Sequence, residues 1–150
     1  MPSDLKRHLD NDVKAALRAG EKRRVGALRL ILAAIKQKEV DERIDLTDAQ
    51  VLAVLDKMAK QRKESLALYQ QAGRADLAEQ EDFELQLVQS YMPAPLSDEE
   101  LQALMDKAIA EAGARGVADL DKVMAILKPK VQGRADLSAL STLIRQRLTS

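Results

Sequence analysis

Apolar residues recur every three or four positions along most of the chain, which is the spacing of one face of an α-helix. Two such stripes come first, and their members are Leu5, Leu9, Val13 and Leu17, then Val25, Leu28, Ile31, Leu32 and Ile35. Ser3 precedes the first stripe as a candidate N-cap, and Gly20 follows it as a candidate helix end. No stretch alternates apolar and polar residues as a half-buried strand does. The pattern predicts an all-α protein.

Capping residues indicate where the later helices begin. A Ser, Thr or Asp followed three residues later by Glu or Gln forms a capping box. Such boxes occur at Thr47–Gln50, Asp76–Glu79 and Ser97–Glu100. We expect Asp119 to cap a further short helix, and Pro129 to help end it because proline lacks a backbone N–H.

Two prolines, Pro93 and Pro95, divide the chain. Residues 1–92 are predicted to form an N-terminal helical domain of about four helices, and residues 97–150 a C-terminal domain of three helices. Val40–Leu46 is predicted to be a polar loop or a frayed helix end. Limited proteolysis is expected to cut first near Pro93–Leu96 or near Val40–Leu46.

One charged residue interrupts an apolar stripe. The helix predicted to begin after Thr47 carries Val51, Leu55 and Met58 inward, and Arg62 follows on the same line. An unpaired buried charge is very costly, so Arg62 needs a carboxylate partner. Glu81 or Glu84 on the next helix is the expected partner.

A pentapeptide occurs twice. Gly73-Arg74-Ala75-Asp76-Leu77 recurs as Gly133-Arg134-Ala135-Asp136-Leu137. In both copies we expect the glycine to end one helix and the aspartate to cap the next. The flanking residues do not repeat, so the pair does not indicate a solenoid.

Composition narrows the possible classes of function. Cysteine is absent, which excludes disulfides, thiolate nucleophiles and thiolate metal sites. The N-terminal MPSDLKRHLD does not resemble a signal peptide, and no apolar run approaches the ~20 residues of a membrane span. These features predict a cytoplasmic protein with no membrane segment. No cofactor and no metal site is predicted, since the single histidine, His8, has no metal-ligating cluster around it and no Glu-x-x-His pair occurs.

Charge is unevenly distributed although the net charge is zero. Residues 1–38 contain ten Lys and Arg against four Asp and Glu, residues 76–84 contain five acids and no base, and residues 119–150 contain six bases against three acids. Two interpretations stay open. A basic region attracts phosphates, or the acidic and basic helices simply pack side by side.

Several short motifs extend over nearly the whole chain. They are Leu28-Arg29-Leu30, Ala33-Ala34-Ile35, Lys60-Gln61-Arg62-Lys63-Glu64-Ser65 with Tyr69, Ala72-Gly73-Arg74, Asp76-Leu77, Tyr91-Met92-Pro93, Lys122-Val123-Met124 and Gly133-Arg134-Ala135-Asp136. In combination they resemble the YqeY family. Residues 97–150 are similar to the tail domain of GatB, a subunit of the glutamine-dependent tRNA amidotransferase. Asp121 and Leu137 stand where the family pattern has glycines.

The resemblance implies an all-helical N-terminal unit, a three-helix tail domain and a shared label of carbon–nitrogen ligase activity with glutamine as amide donor. The first hypothesis is an accessory protein that binds tRNA or a tRNA-handling protein without catalysis of its own. The alternative is a carbon–nitrogen ligase with glutamine as amido-N-donor, and a protein-interaction scaffold is the third. No catalytic residues are predicted. The candidate phosphate contacts are the six bases of residues 119–150, Lys122, Lys128, Lys130, Arg134, Arg145 and Arg147.

Overall fold

The structure, a computed structural model, describes residues 3–149, and within that range it contains helices and no strands. The α-helices in chain order are α1 Asp4–Ala19, α2 Lys22–Glu42, α3 Asp48–Gln71, α4 Ala75–Ser90, α5 Asp98–Ala112, α6 Leu120–Val131 and α7 Leu137–Thr149. A short 3₁₀ turn at Val117–Asp119 precedes α6. The predicted all-α fold is confirmed.

The chain divides into two compact units, Met1–Met92 and Pro93–Ser150. The first, called the N-terminal unit below, contains α1 to α4, and the second, called the tail unit, contains α5 to α7. Each has its own apolar core. The best-buried side chains of the N-terminal core are Leu9, Leu28, Ile31, Ile35, Leu46, Val51 and Leu55. Those of the tail core are Met105, Ala108, Val123, Leu127, Val131, Leu140 and Ile144. Independent folding of the two predicted domains stays a prediction.

Most of the predicted helix ends are confirmed. The Ser3 hydroxyl accepts a hydrogen bond from the Lys6 N–H at 3.1 Å and caps α1. Complete capping boxes at Thr47 and Ser97 begin α3 and α5. Gly20 ends α1 with φ of 74°, a left-handed conformation in which glycine has no Cβ penalty.

The polar loop predicted at Val40–Leu46 is shorter than expected. Helix α2 continues to Glu42, and Arg43 ends it in the left-handed conformation with φ of 56°. The Glu39 carboxylate pairs with the Lys6 ammonium at 2.7 Å and accepts a hydrogen bond from the Leu46 N–H at 3.0 Å. These contacts hold the pKa of Glu39 below its usual value. The α2–α3 connection is therefore anchored, and Leu46 is buried.

Three local predictions are wrong. Helix α4 begins at Ala75 with Arg74 at the N-cap position, and no side chain caps it, so Asp76 lies in the first turn. Asp119 precedes α6 without capping it, because its carboxylate accepts a hydrogen bond from the Arg115 N–H at 3.0 Å. Pro129 lies inside α6, which continues to Val131. Near a C-terminus proline removes one hydrogen bond, and the helix tolerates that loss.

Both carboxylates expected as partners of Arg62, Glu81 and Glu84, lie beside it. The Arg62 guanidinium lies 3.1 Å from the Glu84 carboxylate and 3.5 Å from the Glu81 carboxylate, both on α4. All three side chains are mostly buried, with 24%, 13% and 14% exposure for Arg62, Glu84 and Glu81. This cluster joins α3 to α4 in the N-terminal unit.

Candidate nucleic-acid interface

The six candidate cations are carried by α6, α7 and the connection between them. Lys122, Lys128 and Lys130 lie on α6, Arg145 and Arg147 lie on α7, and Arg134 lies in the connection. Lys128 and Lys130 are two residues apart, as are Arg145 and Arg147. At about 100° per residue, side chains at this spacing point about 160° apart on a helix. Each pair therefore has one member on either side of its helix.

One member of each pair turns toward α5. The Lys130 ammonium lies 4.0 Å from the Glu111 carboxylate, and the Arg147 guanidinium pairs with Asp106. Glu111 and Asp106 are both on α5. Arg147 thus joins α7 to α5. The Lys130–Glu111 pair is loose and Lys130 is exposed, so the charge of Lys130 is only partly balanced within the unit.

The other member of each pair turns to solvent. Lys128 and Arg145 are exposed, and neither forms an ion pair with any other residue that the structure describes. Lys122 is similar, with 72% of its side chain exposed and one loose ion pair to Asp119 at 3.9 Å. These three residues are called the outward cations below.

Arg134 is fixed by hydrogen bonds within the tail unit. Its Nε donates a hydrogen bond to the Ala94 carbonyl at 2.9 Å, and its own carbonyl accepts one from the Leu96 N–H at 3.0 Å. The guanidinium also lies 3.9 Å from the Glu100 carboxylate. Arg134 thus holds the segment that leads into α5 against the α6–α7 connection. The sequence did not indicate this contact, because forty residues separate Arg134 from Ala94.

The acids of the tail unit have local roles. Asp136 accepts a hydrogen bond from the Ser138 N–H at 2.9 Å and caps α7 as expected. Asp121 lies exposed in the first turn of α6, where a negative charge complements the helix dipole. Leu137, at the start of α7, packs partly buried against the tail core. The two residues that depart from the family glycines therefore contribute to the stability of this unit.

A polar cluster in the N-terminal unit has no counterpart in the sequence predictions. The Arg23 guanidinium stacks on the Phe83 ring, 4.1 Å from its centroid, and pairs with the Glu79 carboxylate at 2.8 Å. Lys22, Arg24 and Phe83 line a groove of about 370 Å³ beside this contact. The sequence shows the basic run Lys22, Arg23 and Arg24 at the start of α2, but only the fold brings α4 beside it.

Tyr91 is partly buried against the N-terminal core, and its hydroxyl donates a hydrogen bond to the Asp12 carboxylate. Burial, followed by that carboxylate, raises the pKa of the Tyr91 phenol. His8 lies 3.2 Å from the same carboxylate and meets the Tyr91 ring edge to face. This cluster ties α1 to the end of α4 and leaves Tyr91 packed within the protein.

Metal and membrane sites were also sought in the part of the chain that the structure describes. Among residues 3–149, no three His, Cys, Asp or Glu side chains converge as metal ligands. None of the helices described in that range combines the length and the apolar character needed to cross a bilayer.

Comparison with known proteins identifies the family. A family model described as Yqey-like protein matches residues 6–148. The chain is 38% identical over 127 residues to "Altered inheritance of mitochondria protein 41, mitochondrial" of Eremothecium gossypii, which covers 82% of this chain and 69% of that protein. The proteins of the same name from Vanderwaltozyma polyspora and Kluyveromyces lactis are 33% and 34% identical, over 66% and 57% of this chain. The chain spans only about half the length of these last two, 55% and 47%.

These names correct one prediction. The relatives are named as mitochondrial proteins, which contradicts the cytoplasmic localisation expected from the sequence. That prediction is wrong because it rested on missing cysteines and on the character of the first residues, and neither feature separates the cytoplasm from another reducing compartment. The seven-helix architecture of the described residues, the motifs along the chain and the match over residues 6–148 lead to one conclusion: the chain belongs to the YqeY family.

Proposed function

We propose that this protein is an accessory protein, without catalysis of its own, that binds tRNA through the outward cations of its tail unit. The observation that carries the proposal is the division of the tail cations. Arg147 pairs with an acid on α5 and Lys130 lies 4.0 Å from another, whereas Lys128 and Arg145 stay in solvent without an acid partner among the described residues. Solvated cations on a rigid helical unit are suited to phosphate contacts.

The proposed contact is mainly electrostatic. Residues 97–150 contain no Phe, Tyr or Trp, so they have no aromatic platform on which bases stack. Lys122, Lys128 and Arg145 are able to engage only a few phosphates, and Asp121 is exposed near Lys122 in sequence. We therefore expect a modest affinity that falls steeply with salt, because each phosphate contact releases bound counterions.

The test is a titration of labelled tRNA with the intact protein at low and moderate salt, followed by fluorescence anisotropy. Wild type is compared with the double variant Lys128→Glu/Arg145→Glu. Lys107→Glu is the matched control, since Lys107 is also exposed, lies on α5 and forms no ion pair with the described residues. We expect the double variant to lower the slope of log K against log salt by about 2, and the control to leave it unchanged.

Two outcomes would contradict the proposal. The first is the absence of binding at low salt, which would favour docking of the tail on a tRNA-handling protein. The second is binding that ignores both salt and the double charge reversal. Release of ammonia from glutamine by the purified protein, measured on the same preparation, would instead support the carbon–nitrogen ligase alternative.

A further inference from the structure

Helix α2 presents a second surface that the proposed function does not use. Its solvent side contains a seam of residues spaced alternately four and three apart, Gly26, Leu30, Ala33, Gln37 and Val40. This is the spacing of the a and d positions of a heptad repeat, along which one helix packs on another. All five are exposed, including Leu30 at 46% and Val40 at 61%.

A row of cations follows one edge of this seam. Lys22, Arg29 and Lys36 are spaced seven residues apart, so about 10.5 Å separates each from the next along the helix. In heptad terms they occupy the g positions, and all three are exposed. None forms an ion pair with another residue in the range 3–149, and the acid nearest to Lys36 along the helix, Glu39, is held by Lys6. The other edge carries Ala27 and Ala34, which face the core, and the exposed Asp41, which accepts a hydrogen bond from the Gln37 side chain at 2.9 Å.

Gly26 is the fifth residue of α2, inside the helix, where glycine is unfavourable. Glycine inside a helix costs about 1 kcal/mol relative to alanine. A Cβ placed at Gly26 would meet nothing within 4 Å, so the packing of the N-terminal unit does not require glycine there. The space above Gly26 allows the backbone of another molecule to approach closely.

We propose that this face of α2 docks an amphipathic helix of a partner protein, one with apolar residues along its seam and acidic residues along the flank that meets Lys22, Arg29 and Lys36. The apolar members Leu30 and Val40 favour a protein helix, because phosphates gain nothing from apolar contacts. The row of cations requires the opposite charge on the partner.

The charge pattern also disfavours a second copy of this chain as the occupant. In an antiparallel pair of α2 helices, the flanking positions g face each other, which would place Arg29 against Arg29 and Lys22 against Lys36. In a parallel pair, position g faces position e. Position e is here Ala27, Ala34 or Asp41, so only Lys36 would meet an acid, while Lys22 and Arg29 would face alanines that lie against the core.

The test uses a synthetic helix of about 21 residues, three heptads long, with Leu at a and d and Glu at e and g. Repulsion between the Glu side chains keeps this probe from pairing with itself. A second peptide has Lys in place of every Glu. Each fluorescent peptide is titrated with the intact protein, and anisotropy is measured. We expect the acidic peptide to bind and the basic peptide not to bind.

Variants locate the contact. Arg29→Glu is expected to weaken binding of the acidic peptide about tenfold or more, because it places like charges together. Lys57→Glu, which reverses an exposed cation on α3, is the control and leaves binding unchanged. Gly26→Gln fills the seam and also raises helix propensity. It is expected to reduce binding while the melting temperature stays the same or rises, which separates docking from folding.

Failure of the acidic peptide to bind, or equal binding of both peptides, would overturn the proposal. So would binding that persists undiminished in Arg29→Glu and Gly26→Gln. If Arg29→Glu instead abolished tRNA binding while the acidic peptide did not bind, the face would belong to a nucleic acid. Because this test uses α2 and a peptide, its result is independent of the tail-unit titration.

Discussion

The two copies of Gly-Arg-Ala-Asp-Leu, residues 73–77 and 133–137, have the same sequence and different structures. Their glycines behave alike, since Gly73 and Gly133 are left-handed with φ of 70° and 75°. After the glycine the copies diverge. Helix α4 begins at Ala75, two residues after Gly73, whereas α7 begins at Leu137, four residues after Gly133.

The contacts of the two arginines differ as well. Arg74 stays local, with its guanidinium 3.2 Å from the Asp76 carboxylate. Arg134 reaches the Ala94 carbonyl, and Asp136 accepts the hydrogen bond from the Ser138 N–H that caps α7. A helix-ending glycine acts through its own backbone, while an arginine takes the partner that the surrounding fold offers.

The largest expected effect on stability comes from Arg62, which lies outside the repeat and joins α3 to α4. Arg62→Ala would leave Glu81 and Glu84 mostly buried without their cation. We expect a loss of about 3 kcal/mol in the free energy of unfolding, measured by urea denaturation. Lys63→Ala, an exposed neighbour on α3, is the control and has little effect. A variant as stable as wild type would show that the cluster does not hold α3 to α4.

The two repeat arginines should respond differently to the same substitution. Arg134→Ala removes the hydrogen bond to Ala94, and we expect a loss of about 1 kcal/mol together with faster proteolysis at Pro93–Leu96. Arg74→Ala removes only a solvent-exposed contact and should change neither the denaturation midpoint nor the rate of cleavage. Equal responses from the two variants would contradict the difference drawn between the copies.

A smaller difference in stability is expected between variants of the two aspartates. Asp136→Ala removes the cap of α7 and is expected to cost about 1 kcal/mol. Asp136→Asn keeps an acceptor and should restore most of that stability. Asp76→Ala removes an exposed residue that caps no helix, so its melting temperature should stay close to that of wild type. A larger loss of stability for Asp76→Ala than for Asp136→Ala would contradict the capping role given to Asp136 alone.

The smallest effect is a shift in the titration of Asp76. The Arg74 side chain, with the Leu77 N–H, lowers the pKa of Asp76 in the folded state. A lowered folded-state pKa stabilises the fold at pH values above the unfolded-state pKa, and this contribution is lost as the pH falls through the folded-state value. Both groups are exposed, so the pKa itself is the quantity to measure, by NMR. Arg74→Ala should raise it toward the ordinary value, and an unchanged pKa would mean that the pair does not form in solution.

The candidate site was only partly readable from the sequence. The six candidate cations are visible as residue types, and the i, i+2 spacing of Lys128 with Lys130 and of Arg145 with Arg147 already implies opposite sides of a helix. The partners of Lys130 and Arg147 were not visible, because Glu111 and Asp106 are brought beside them by the packing of α5. The seam on α2 was not recognised either, since a single sequence does not show which of several apolar faces the core leaves exposed.

Local sequence is enough to predict the all-α class, the Ser3, Thr47 and Ser97 caps, the helix-ending glycines and the need of Arg62 for an acid. Each depends on residues within one or two turns of each other, or on the cost of burying a charge, so chain-local physics is sufficient. The packing of the helices decides that Leu46 is buried and which of the tail cations are paired. Those outcomes depend on groups distant in sequence, whose proximity exists only once the helices have packed.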